Sequence, residues 1–486
     1  MTNEMTTTYQ TRFESSVEID ELLQRCATLL SSVERSLFAK VSSGNTSLSC
    51  KNEFLKKYGI TARQFNACRV SLDGKISAAR ASQELTVANL KRQIKIVDGQ
   101  IDKLSRKPSK EKIIHLKKRR KQALCDRLDA KERDLKEKKV RLCFGGRKLF
   151  RSQFHPEKNG YSSLKEWKTE WKEKRDGEFF ILGSKDETAG NQTCTARIQS
   201  DGKLSLRLRL PPSLEKESGK YIEIRNVVFA YGHEKILSAL SHPGGKALSY
   251  RFKRDKKGWR VFTSVSLEKV EAVTQEGIGV IGIDLNADHI ACVETDRFGN
   301  PISKVVFPWV SYGKTREQLK ALTCDVCKEI VEMAKSVKKP IVIEKLDFQE
   351  KKTSLKQGKD HFARLLSGFA YNLFFNLLSA RAFKQGIVVH RVNPAYTSVI
   401  GRINYAKRYG LTTHLAAALC IARRYLRLSE TPISSQGIIP DGKGGHVAFV
   451  LPERNRTKHV WHFWRQVSKK LPTVLAAHHR AMRNRS

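Results

Sequence analysis

GIGVIGIDLNADHIACVET (Gly277–Thr295) is the stretch that decides how the second half of this chain folds. Its first eight residues are almost wholly apolar until Asp284, the pattern of a strand buried on both faces, and HIACVET reads as the strand that returns beside it. After a turn at Arg297–Asn300, ISKVVFP (Ile302–Pro308) makes a third strand. The pattern then alternates: a helix at Thr315–Ser336, a buried strand in PIVIE (Pro340–Glu344), a helix at His361–Phe383, a strand in IVVHRV (Ile387–Val392) and a helix at Thr413–Leu426.

Three meandering strands followed by helix, strand, helix, strand and helix is the element order of an RNase H-like α/β domain. In that order the first and fourth strands are neighbours, so Asp284 and Glu344, one at the end of each, are expected to face each other. A carboxylate at the tip of an apolar strand is poor core material, because burying it alone is costly. Either acid by itself also reads as a solvated strand end; together they point to a centre. Nucleases of this fold cut phosphodiesters with two divalent cations held by converging carboxylates, and hard oxygen ligands suit Mg2+.

Upstream, TTTYQTRF (Thr6–Phe13) reads as an isolated strand that must pair with something distant. Helical patterning follows at Glu21–Val41 and Ala62–Ser71, then in a long run from Ile76. Leu90, Ile94, Val97, Ile101 and Leu104 recur at steps of four and three, a coiled-coil seam. Pro108 breaks the run, and Leu124, Leu128, Leu135 and Leu142 stripe a second helix, so an antiparallel hairpin is expected with Lys117, Lys118, Arg119, Arg120 and Lys121 outside. From Phe144 about six short alternating segments, from EFFILG to WRVFTSVSL, suggest a small β-barrel completed by the N-terminal strand. Gly190, Asn191 and Gln192 lie in one of its loops as turn residues.

The balance of 91 Lys and Arg against 49 Asp and Glu, a formal +42, points to a polyanionic partner. Basic residues run through the whole chain instead of clustering on one amphipathic helix, which favours nucleic acid over a membrane surface. Neither a membrane-spanning stretch nor a secretory signal is evident, so an intracellular protein is expected. The ten Cys fit a reducing compartment, and Cys324 and Cys327, although a close pair, have no second pair at ligand spacing. No zinc site is predicted; the pair reads as part of a helix packed on the core.

The stretches IGIDLN with Asp284, IVIEKL with Glu344, VVHRVNPAYTS (Val388–Ser398) and THLAAALCIARR (Thr413–Arg424) resemble the TnpB family of transposon-encoded, RNA-guided nucleases, related to type V CRISPR effectors. The resemblance covers nearly the whole chain. It implies a multidomain α+β protein: a helical recognition domain inserted in a wedge β-barrel, followed by a RuvC domain of RNase H-like fold. The corresponding segments are residues 1–17 (first wedge strand), 18–143 (recognition), 144–276 (wedge), 277–428 (RuvC) and 429–486 (a basic tail). It further implies a guide RNA, double-stranded target DNA read beside a short motif, two Mg2+ ions and a prokaryotic, nucleoid-associated location; it leaves monomer and dimer open.

Two departures stand out. Where typical members carry two Cys pairs of a zinc ribbon after the Thr-Ser, Val399, Ile400, Gly401 and INYAKRYG follow here. The family register also sets His414, and not an acid, at the third catalytic and metal position, so that Asp284, Glu344 and His414 are the expected site. His414 reads as a working ligand or general base, as the mark of a centre that binds without cutting, or as a capping or core histidine. Asp360 is the nearby acid that could substitute from another helix, and Asp288 could assist from the first hairpin. Tyr396, Arg408, Arg423 and Arg424 are candidate nucleic-acid contacts, with a packed loop as the plain alternative for Tyr396 and Arg408 and complementing the helix C-terminal dipole as that for Arg423 and Arg424. The expected activity is RNA-guided, Mg-dependent DNA cleavage; a nuclease-impaired RNA-guided DNA-binding protein and a transposase are the rivals.

Overall fold

The computed structural model describes residues 5–106, 111–183, 191–242, 246–267, 270–346, 368–440 and 445–483. Two compact units divide the chain, Met1–Glu268 and Lys269–Ser486.

In the first unit β1 (Met5–Arg12) is followed by α1 (Val17–Ser42), α2 (Lys51–Tyr58), α3 (Ala62–Ser105) and α4 (Glu111–Lys136). Then come α5 (Arg147–Ser152), α6 (Leu164–Asp176), β2 (Glu178–Ile181), β3 (Cys194–Ile198), β4 (Leu204–Arg209), α7 (Pro212–Ser218) and β5 (Tyr221–Val227). The unit ends with α8 (His233–Leu240), β6 (Ser249–Asp255) and β7 (Gly258–Leu267). The isolated N-terminal strand finds its partner at the far end of the unit, where Met5 opposes Leu267 and Arg12 opposes Arg260.

Ala62–Ser105 is one helix of 44 residues, not two: a capping box of Thr61 and Gln64 starts it, and Gly74 sits inside it with open space around its Cα. The α3–α4 hairpin closes along Leu90, Val97 and Leu124, with Ile94, Ile101 and Leu128 beside them. Ion pairs Lys91–Glu132 and Asp98–Lys121 show the antiparallel sense, one partner's number rising as the other's falls. The expected break at Pro108 lies outside the described residues, as does Gly190. Asn191 is fully buried, its amide donating to Leu248 O and its carbonyl accepting from the backbone of Thr193 and Cys194.

A closed barrel is not seen. The strands pair as two open sheets, β1-β7-β6-β2 and β3-β4-β5. β5 and β6 turn alternate residues inward, and the two inner faces share one core of Leu206, Leu208, Ile222 and Ile224 with Phe252, Val261 and Val265. Burial is met by stacking faces, so ladder closure is not required.

In the second unit β8 (Ile281–Leu285), β9 (His289–Thr295) and β10 (Pro301–Pro308) form an antiparallel meander, and α9 (Arg316–Val337), β11 (Ile341–Glu344), α10 (Gly368–Lys384), β12 (Val389–Val392), α11 (Thr397–Asn404) and α12 (Thr413–Tyr425) follow. The sheet order is β10-β9-β8-β11-β12, with β11 parallel to both β8 and β12. This mixed sheet with its first strand in the middle is the arrangement the element order predicts. Residues 429–486 were expected as a tail. Instead β13 (Gln436–Pro440), β14 (His446–Val450) and α13 (Val460–Arg483) pack into this unit: Ile439, Val447, Phe463, Trp464, Val467 and Leu471 share a core with Ala291, Val293 and Leu419. Trp461 and Trp464 both donate their indole N–H to Glu430, at its carboxylate and its carbonyl. Cys327 is buried under α10, where burial pushes its thiol up to about 12. Among the described residues no helix is long and apolar enough to cross a membrane.

Candidate active site

Strand parity decides which way the acids point. Ile281, Ile283, Ile341 and Ile343 belong to the core shared with α9 and α10, whereas Val280 and Val342 meet Ile421 and Ala422 of α12 on the opposite face. Asp284 and Glu344 have the parity of Val280 and Val342, so both carboxylates lie on the α12 face. Register then brings them together. Ile341 pairs with Ile281, Val342 with Gly282 and Ile343 with Ile283, and one further step sets Glu344 beside Asp284.

Gly282 lets α12 descend onto that face. A Cβ at Gly282 would lie 2.1 Å from Ala418 O and 2.9 Å from Ala422 Cβ, so only glycine permits the approach. Gly401 on α11 does the same from the side, its Cβ position being 2.3 Å from Ala416 O. Two residues along β8 from Gly282 is Asp284; one helical turn back from Ala418 is His414. His414 Nδ1 accordingly lies 3.1 Å from Asp284 Oδ2. Thr412 caps the helix by accepting from Leu415 N, and the His414 side chain is about half exposed, so it neither caps nor fills core.

Four residues that the sequence did not single out complete the surroundings. Asn286 donates to Asp284 Oδ2 at 2.9 Å and approaches His289 Nε2 at 3.4 Å. An amide nitrogen only donates, so His289 Nε2 accepts and its proton sits on Nδ1, which donates to Asp288 Oδ1 at 2.7 Å. The His289 and His414 rings meet edge to face, centroids 4.5 Å apart. Thr397 donates its hydroxyl to Glu344 Oε1, and Tyr371 donates to Glu344 O at 2.5 Å. Asn286 lies only two residues beyond Asp284 in IGIDLN, which was the available signal. Thr397 lies near the end of the VVHRVNPAYTS stretch that carries the resemblance, whereas Tyr371 arrives through tertiary structure and had no signal.

Asp284 and Glu344 supply hard oxygen donors, and a pair of carboxylates completed by water and substrate phosphate is a usual way to hold Mg2+. Among the described residues no group of three or more His, Cys, Asp and Glu gathers as a metal cage. Asp360 lies outside the described residues. Asp288 faces His289, not Asp284.

The candidate nucleic-acid contacts separate into two kinds. Lys118, Arg119, Arg120 and Arg408 are exposed, whereas Lys117 donates to Gln100 and Lys121 pairs with Asp98 across the hairpin. Arg424 is paired with Glu430 at 2.5 Å and also donates to Asn393 O, and Arg423 donates to Tyr405 Oη and Gly299 O. Both arginines thus have protein partners at the end of α12. Tyr396 occupies the cap of α11 with φ +60°.

No family model matches the chain, and no curated protein does. Among solved structures it is similar to Thermus thermophilus RuvC in complex with Holliday junction substrate, at 15% identity and a TM-score of 0.22, covering 30% of this chain and 90% of that one. A second Thermus thermophilus RuvC structure gives 15% identity and a TM-score of 0.21, covering 29% of this chain and 90% of that one.

Proposed function

We propose that this chain is an RNA-guided DNA endonuclease whose phosphodiester-cleaving centre is Asp284, Glu344 and His414. The observation that carries the reading is the pairing of β8 with β11, which sets two carboxylates side by side on the face where α12 presents His414. Bound there, Mg2+ would polarise the scissile phosphate and favour a hydroxide nucleophile. Asp284 and Glu344 would be its ligands. Asn286 and His414 hold Asp284 from one oxygen, Oδ2, while Thr397 steadies Glu344, so both acids are oriented before substrate arrives. The formal +42 supports a polyanionic partner, and the TnpB resemblance implies that it is a guide RNA with double-stranded target DNA; the exposed Lys118, Arg119 and Arg120 are suited to nucleic-acid phosphates. Segments 18–143, 144–276 and 277–428 take the recognition, wedge and nuclease roles in this reading.

The test is cleavage of plasmid DNA carrying a match to the RNA that co-purifies with the protein. Asp284→Ala and Glu344→Gln should each remove Mg2+-dependent cutting while the RNA is retained; undiminished cutting by Asp284→Ala refutes the centre. A second reading, RNA-guided binding without cleavage, is favoured by the two protein donors already on Asp284 Oδ2. His414→Asp separates the two, since gain of cutting points to an impaired centre and loss to a working histidine.

A further inference from the structure

The stretch Arg147–Asp176, expected to lead into a barrel, instead forms two helices that bring aromatic and cationic side chains to one surface. Trp167 anchors it, buried and donating its indole N–H to Leu149 O at 2.7 Å. From there a ladder of rings runs outward. Trp171 stacks on Trp167 at 5.7 Å with planes 16° apart, Phe150 lies 5.6 Å from Trp171, and Phe154 lies edge-on to Phe150 at 6.2 Å. The ladder ends in water, with Phe150 42% and Phe154 65% exposed.

Beside it Arg147, Lys148, Arg151, Ser152, His155 and Asn159 line an open concavity. Arg147 and Arg151 are four residues apart, as are Phe150 and Phe154, so a cationic pair and an aromatic pair run side by side. The segment holds nine Lys and Arg against five Asp and Glu. Glu166 and Glu170 are occupied with Ser162 and Tyr161.

We propose that this surface binds unpaired nucleotides of single-stranded RNA, phosphates in the concavity and bases on Phe150 and Phe154. Stacking needs a base whose face is free, which a duplex denies, and the cations account for the phosphates. Asn159 uses its amide nitrogen on His155 O at 2.7 Å, which leaves its carbonyl oxygen to accept from a 2′-hydroxyl. The surface lies wholly in the first unit, and its test needs neither metal nor cleavage.

The full chain, stripped of nucleic acid at high salt, is titrated with fluorescein-labelled U12 in EDTA. Phe154→Ala should weaken binding by about fivefold or more with an unchanged salt slope, and Phe154→Tyr should restore it. Arg147→Ala with Arg151→Ala should lower the slope of log K against log salt by about 1.4, the single-strand value for two phosphate contacts. With 4-thiouridine in the oligonucleotide, photocrosslinks should map to peptides holding Phe150, Phe154 or Trp171. Circular dichroism checks that the variants fold. Unchanged binding by both variants, with crosslinks elsewhere, overturns the proposal. So does equal affinity for dT12, or poly-L-glutamate competing equally with U12 and losing as much to Phe154→Ala.

Discussion

Arg423 and Arg424 at the end of α12, and Lys118, Arg119 and Arg120 on α4, are similar cationic runs in sequence and opposite things in the fold. The two arginines close a helix that has pressed its small residues onto a sheet, and their guanidinium groups reach the carboxylate of Glu430 and carbonyls of neighbouring loops. The triplet lies on a helix packed along a single stripe against α3, so its charge stays in water. A basic run predicts a polyanion contact only where the helix has a face the protein does not cover.

Glycine substitution probes that difference most strongly. Gly282→Val should lift α12 off β8 and cost on the order of 4 kcal/mol or more, with any cleavage lost as His414 leaves Asp284. In α3 the same test reverses sign: a Cβ at Gly99 meets nothing, so Gly99→Ala should stabilise by about 0.5–1 kcal/mol. Thermal unfolding of the two variants decides it, and a mild effect at Gly282 would undo the account of how the site is assembled.

Next in size is Arg424→Ala. The Arg424 and Glu430 side chains are 9% and 15% exposed, and removing one partner strands the other, so unfolding in urea should show a loss of about 3 kcal/mol. The salt dependence of nucleic-acid binding should not move. Replacing Lys118, Arg119 and Arg120 together by Ala should do the converse: stability within about 0.5 kcal/mol of native and a salt slope lower by about two to three. If both variants lowered the slope alike, Arg424 would be a phosphate contact after all.

The second unit was legible because its strands are short apolar runs in a recognisable order, and because Asp284 and Glu344 interrupt that pattern at strand ends. What could not be read is whatever depends on chains of contact: that Thr397 reaches Glu344, that Asn286 and His289 share a proton arrangement, and that Trp464 buries 429–486 in the core. In the first unit alternation correctly marked strands but said nothing of which edges meet, so two stacked sheets were indistinguishable from a barrel. The helices of Arg147–Asp176 escaped because their apolar residues are few and aromatic, the stripe being Phe150, Trp167 and Trp171 amid lysines.

Between the buried and the solvated extremes stands Arg12–Asp255, whose side chains are about one third exposed and which ties β1 to the β6–β7 turn. The hydrogen bond from Arg12, with a second from Lys257 N, holds the Asp255 carboxyl at about 2. A carboxyl depressed in the folded state contributes stability above its ordinary value near 4, and that contribution is lost as pH falls toward 2. The native protein should therefore exceed Asp255→Asn in urea midpoint by a constant margin above about pH 4, and the margin should close by pH 2. Because solvent screens the pair, this is the smallest of the effects, well below that of Arg424→Ala. A margin that persists undiminished at pH 2 would mean that the residue stabilises the turn through its shape and backbone bonds, with the guanidinium contributing nothing.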